Sequence, residues 1–176
     1  MTSNPAVARL HQWPVPVSMT LTGTLRFVAD RAAEEVGVSA GACVNLLTTR
    51  GRRITSVATD PVAERLSALH DRFDDNPGAA AWARGAAVAV TGSNHQQPWS
   101  AWRRQAIELG APSVLFAALC TPQRVLGTLM VYSPRPDAYR RSDEEMLDGY
   151  ARDAAILIDE TQSARTQFIR TAKTKR

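Results

Sequence analysis

At 176 residues and 19.2 kDa, with 44% apolar and 22% charged residues, the chain has the makings of one globular domain with a hydrophobic core. No apolar run approaches the roughly 18–20 residues of a membrane span, no charged-then-apolar leader opens it, and Cys43 and Cys120 are too few for a disulfide framework, so a reducing, cytoplasmic location is expected. The net charge of +4 belongs to the end of the chain: Arg165, Arg170, Lys173, Lys175 and Arg176 contribute +5, leaving the remaining body at −1. Nucleic acid is therefore not expected on the body, and any such contact falls to the basic tail.

Residues 1–18 hold three prolines and little periodicity, and read as an extended lead-in. Leu21, Leu25, Val28, Ala29, Ala32 and Val36 then form one stripe of an amphipathic helix, with Gly37 as its stop. "ACVNLLTT" (42–49) and "RITSVAT" (53–59) are β-prone runs joined through Gly51, the pattern of a hairpin. Asp60-Pro61 supplies an N-cap and a first-turn proline for a helix whose face is Val62, Leu66, Leu69 and Phe73. "DDNPG" (74–78) ends that helix and starts a short one through Trp82, and "AAVAVT" (86–91) reads as a strand.

After a polar loop, Pro98 opens a helix carrying Trp99, Trp102, Ala106 and Leu109, stopped by Gly110. "SVLFAALC" (113–120) and "VLGTLMVY" (125–132) form a second hairpin, ended by "SPRPD" because proline cannot donate to a ladder. Ser142-Asp143-Glu144-Glu145 has the spacing of a capping box, Ser142 with Glu145, and launches a helix predicted to run to about residue 168. The expected class is α+β: an antiparallel sheet of five to six strands, the N- and C-terminal helices on one face, the middle helices and loops on the other.

Three segments carry a resemblance. "NPGAAAWARGAAVAVT" (76–91), "QPWSAWRRQAIELGAPSVLFAAL" (97–119) and "VLGTLMVYSPRPDAYRRSDEEMLDGYARDAAILI" (125–158) resemble, in this order, the short helix and central strand, the tryptophan-bearing segment, and the glycine-containing strand with its capped C-terminal helix of the GAF domain family. The nearest flavour is that of actinobacterial GAF/ANTAR-type regulators, without the ANTAR output module. The implied division is a lead-in at 1–18, a GAF-like domain at 19–162 and a basic helix end at 163–176. The resemblance implies a sensory or regulatory domain, a small-molecule pocket on one face of the sheet and a helical dimerisation surface on the other.

Family ligands find little support in the residues. Tyr139 and Asp143-Glu144 echo half of a cyclic-nucleotide motif, but the Asn-Lys pair of that motif is missing. His11, His70 and His95 lie in a lead-in, off a helix stripe and in a polar loop, and Cys43 and Cys120 lie in strands as small core residues. No catalytic residue, metal or cofactor is expected. Trp82, Trp99 and Trp102 cluster in the segment that roofs the sheet. They either fill the second core or wall a pocket for an apolar or aromatic effector, with Asn45, Phe116, Thr128 and Met130 as its floor. Ala151, Ala154, Ala155, Leu157 and Ile158 suit close helix packing and a homodimer through the terminal helices. Two functions remain open: an effector-sensing GAF domain that signals through those helices, or a degenerate GAF fold serving as a dimerisation or protein-interaction module without a ligand.

Overall fold

The computed structural model describes residues 20–91 and 98–174, the side chains of the last helix as far as residue 167. The lead-in and the loop that holds His95 therefore lie outside the described residues, as do His11 and Trp13.

Helix α1 (Leu21–Glu35) opens where the Thr20 side chain accepts the Gly23 backbone N–H at 3.1 Å. The hairpin β1 (Gly41–Leu47) and β2 (Arg53–Ala58) follows, then α2 (Pro61–Arg72), α3 (Pro77–Arg84), β3 (Val88–Val90) and α4 (Ser100–Glu108). The second hairpin, β4 (Ser113–Cys120) with β5 (Val125–Ser133), leads into α5 (Arg141–Thr174). The five strands form one antiparallel sheet in the order β2-β1-β5-β4-β3. Sequence-distant β1 and β5 are brought together at its centre, where a Cβ on Gly127 would collide with the Asn45 carbonyl oxygen.

Alternation divides the sheet into two cores. Ala42, Val44, Leu46, Leu115, Ala117, Leu119, Leu129 and Val131 face α1 and α5. These pack Leu25, Val28, Ala32, Leu147, Ala151, Ala154, Ala155 and Ile158 over them. The small side chains of α5 thus serve the domain's own sheet and let the helix lie close. The buried Tyr150 hydroxyl donates to the Val28 carbonyl at 2.9 Å and ties the two terminal helices together. On the opposite face, Cys43, Val114, Phe116, Met130 and Tyr132 meet Ala63, Leu66, Leu69, Ala81, Trp102 and Ala106 from α2, α3 and α4.

Two details depart from expectation. The last helix starts at Arg141, with Arg140 as its flanking residue, and it is Asp143 that reaches back to accept the Arg140 N–H at 2.8 Å. Glu145 instead meets Arg141 at 3.1 Å, so the box predicted on Ser142 and Glu145 is displaced towards the chain start by a helix that begins earlier. The helix also continues to Thr174, past the predicted end near 168, and its 34 residues span about 51 Å.

Candidate functional site

A cleft of about 670 Å³ opens between the turn of the first hairpin and the α2–α3 corner. Its walls are Leu47, Thr48, Arg50, Gly51, Arg52 and Arg53 on one side, and His70, Asp71, Asp74, Asn76, Ala79, Trp82 and Ala83 on the other. Local chemistry fixes each wall. In the turn, the Thr48 hydroxyl accepts the N–H groups of Arg50 (3.3 Å) and Arg52 (3.1 Å), while Gly51 takes a φ of 75° that a side chain would resist. The Trp82 ring sits against that glycine, within 3.6 Å of where a Cβ would be. His70 Nε2 lies 3.1 Å from the Gly51 carbonyl oxygen, pinning the turn to α2.

The opposite wall depends on buried Asn76. Its Oδ1 caps α3 by accepting the Ala79 N–H at 2.9 Å, and its Nδ2 donates to the Phe73 carbonyl at 2.7 Å. One residue therefore stops α2 and starts α3, which sets the corner.

A polar chain runs inwards from the cleft. The Arg53 guanidinium pairs with Asp71 and donates to Ser67 Oγ at 3.2 Å. Ser67 Oγ donates to Asn45 Oδ1 at 2.5 Å, and the Cys43 thiol reaches the same oxygen at 3.7 Å. Asn45 and Ser67 are both only 2% exposed, so this connection is buried. Burial pushes the Cys43 thiol from 9.0 to about 11, which makes it an inert neutral group rather than a nucleophile. On this side of the sheet the Trp82 indole N–H and the Thr128 hydroxyl are buried without a hydrogen-bond partner among the described residues.

Of the seven sequence-predicted site residues, Trp82 lines the cleft. Trp102 and Phe116 meet edge to face, 5.8 Å between centroids, in the core under the roof, with Met130 beside them. Trp99 is half-buried at the start of α4, in a left-handed conformation with φ 66°, and donates its indole N–H to Asp75 at 2.8 Å. Asn45 and Thr128 face each other across β1 and β5, both buried. The strand residues thus share one face as predicted, while the tryptophans separate into a core filler, an edge residue and a cleft wall. The cleft's hairpin cations and the acids of "DRFDDN" were the missed signal: cations concentrated at a tight turn, and acids at a helix corner.

Among the described residues no group of three or more His, Cys, Asp or Glu could hold a metal. A shallower hollow of about 360 Å³ lies where Ala86 and Ala87 meet Arg141, Glu144, Glu145 and Asp148. Burial raises the Glu144 and Asp148 carboxyls there. No helix among the described residues is long and apolar enough to cross a membrane.

A five-stranded antiparallel sheet with terminal helices on one face and a cleft under short helices on the other defines an α+β fold. The GAF domain model matches residues 18–159, and the chain belongs to the GAF domain family. It is similar in fold to the GAF domain of an Acinetobacter phosphoenolpyruvate-protein phosphotransferase, at 18% identity and TM-score 0.61, covering 94% of this chain and 99% of that one. It is also similar to the photoproduct state of a GAF domain from Synechocystis sp. PCC6803, at 13% identity and TM-score 0.59, covering 84% and 99%. A third likeness is to the chromophore-binding domain of a bacteriophytochrome from R. palustris, at 10% identity and TM-score 0.58, covering 91% and 61%. No curated protein matches the chain. Domains of this family serve sensory and regulatory roles and bind small ligands.

Proposed function

We propose that this chain is a non-catalytic, cytoplasmic GAF domain that binds a small effector with an aromatic part in the cleft beside Trp82, and signals through its terminal helices in a homodimer. The observation that carries this reading is the cleft itself, whose volume falls within the roughly 300–1,000 Å³ range of small-molecule sites. Its wall residue Arg53 belongs to β2, and the far end of β2 is held by α1, where Arg26 donates to the Ala58 carbonyl at 2.6 Å. An effector that draws on the Arg53–Asp71 pair would thus bias the position of β2 against α1, a differential contact of the kind signalling requires. Actinobacterial GAF/ANTAR-type regulators are the proposed subgroup, on the strength of the segments at 97–119 and 125–158.

The test is a thermal-shift screen of small metabolites on the purified chain, followed by the same screen on Trp82→Leu. Binding raises the melting temperature in proportion to the logarithm of ligand concentration once the site saturates. A ligand that stabilises the wild type and leaves Trp82→Leu unmoved is expected. One that stabilises both equally places the site elsewhere.

The alternative reading, a dimerisation or interaction module without ligand, is favoured by one observation: Trp102 and Phe116 already fill the centre of the roofed face. The long α5 leaves Met146 and Ile156 exposed, and these are the proposed dimer contacts under either reading. Sedimentation at micromolar concentration should give a dimer that Ile156→Glu dissociates, and a wild-type monomer would rule out both versions of helix-mediated pairing.

A further inference from the structure

We infer that the cleft is selective for a planar aromatic ring bearing a single carboxylate; the inference rests on the proposed effector site and assigns the chemical class of its occupant. The charge of the lining carries it. Three arginines, Arg50, Arg52 and Arg53, stand against two aspartates, Asp71 and Asp74, a surplus of one positive charge. Arg53 and Asp71 neutralise each other. Arg50 and Arg52 make no ion pair among the described residues, and both extend from backbone held by the Thr48 hydroxyl. A carboxylate is the group whose geometry matches a guanidinium fork, and one negative charge balances the surplus. A dianion would exceed it and meet Asp74.

The ring has its own place. Trp82 offers an aromatic wall at the same cleft, and its indole N–H has no acceptor among the described residues. A planar ring stacked on that wall would bury apolar face that the cleft leaves open. The buried Thr128 hydroxyl, on the same side of the sheet, also has no hydrogen-bond partner among the described residues.

The experiment uses three matched pairs: benzoate and benzamide, 2-naphthoate and 2-naphthamide, indole-3-acetate and indole-3-acetamide. Each is titrated into the full chain by calorimetry at low and high salt. In at least one pair the carboxylate should bind about tenfold or more tightly than its amide, with the preference shrinking as salt screens the exposed arginines. The double variant Arg50→Gln/Arg52→Gln, checked for an unchanged melting temperature, should bring the carboxylate down to the amide. Phenyl phosphate should bind more weakly than benzoate, and tighter binding would overturn the single-carboxylate assignment. If amide and carboxylate bind equally and Trp82→Leu weakens both, the anion inference fails while the cleft remains the effector site. If no probe binds at millimolar concentration, the aromatic-carboxylate assignment fails, while the thermal-shift screen of other metabolites with Trp82→Leu as control decides the effector site separately.

Discussion

On one side of the sheet, α1 and α5, of 15 and 34 residues, lie over strands that present aliphatic side chains. On the other, three helices of 12, 8 and 9 residues cover Cys43, Asn45, Phe116, Thr128 and Met130. Two long helices can bury a continuous apolar surface because their stripes match its length. Three short ones meet it at corners, and a corner leaves room: the cleft sits where α2 turns into α3. Several polar groups are buried on that side, and some of them find partners there. Asn45 accepts from Ser67 and Ser67 accepts from Arg53, so a buried amide is linked to the cleft wall instead of being stranded. The first face is given over to packing, and the second divides packing with the cleft proposed as the effector site.

The sharpest test of this division is to remove one large side chain from each core. Trp102→Ala should cost about 3–5 kcal/mol, through the void left against Phe116, and Leu129→Ala about 2–5 kcal/mol on the helix-pair side, both read by urea unfolding. A cost below about 1 kcal/mol for Trp102→Ala would mean the roof is not packed as a core.

Alkaline titration separates the faces differently, since the buried thiol lies on the roofed side. Cys43 keeps its proton to about 11 in the folded state against 9.0 ordinarily, so its contribution is fully present below pH 9 and is lost as pH rises through about 11. That loss amounts to about 2–3 kcal/mol. Tyr132 follows from 10.0 to about 12, held by burial and by its bond to Asp60. Cys43→Ala should therefore remove most of the stability lost between pH 9 and pH 11, leaving the share of Cys120, whose thiol burial also raises. An undiminished loss would contradict the Cys43 thiol's role.

Smaller effects test the polar chain and the wall. Asn45→Ala strands the Ser67 hydroxyl and should cost about 1–3 kcal/mol. Trp82→Leu, at a half-buried wall position, should change stability by less than about 1 kcal/mol while abolishing effector binding. That separation of stability from binding is what distinguishes the cleft from the core beside it.

Much of this was legible from the residues. Strand alternation put Asn45, Phe116, Thr128 and Met130 on one face, and their register bears this out: Asn45 is opposite Thr128, and Phe116 opposite Met130. The N-cap at Asp60 followed from a side chain that satisfies free amides locally, and "DDNPG" marked the break between α2 and α3, where Asn76 is the cap. What alternation does not reveal is which tryptophan fills space and which lines it. Trp102 and Trp82 lie in similar apolar helix patterns, and only the distance between α4 and the sheet buries one while the α2–α3 corner leaves the other at an opening. The cleft's charged wall was hidden for a related reason. Arg50, Arg52 and Arg53 line one cleft with Asp71 and Asp74 where the hairpin turn, bonded to His70, lies against α2. The start of α5 was misplaced by one competing bond, Asp143 to the Arg140 N–H, available as soon as the helix begins at Arg141.

The most direct measurement is a nitrogen-proton NMR titration that follows the assigned indole N–H signals with indole-3-acetate. Ligand should shift the Trp82 indole strongly as an aromatic ring stacks on it, together with the Gly51 and Arg53 amides, while the core Trp102 signal stays in place. Saturating shifts confined to Trp99 or Trp102, or none in the cleft at all, would contradict an effector site beside Trp82.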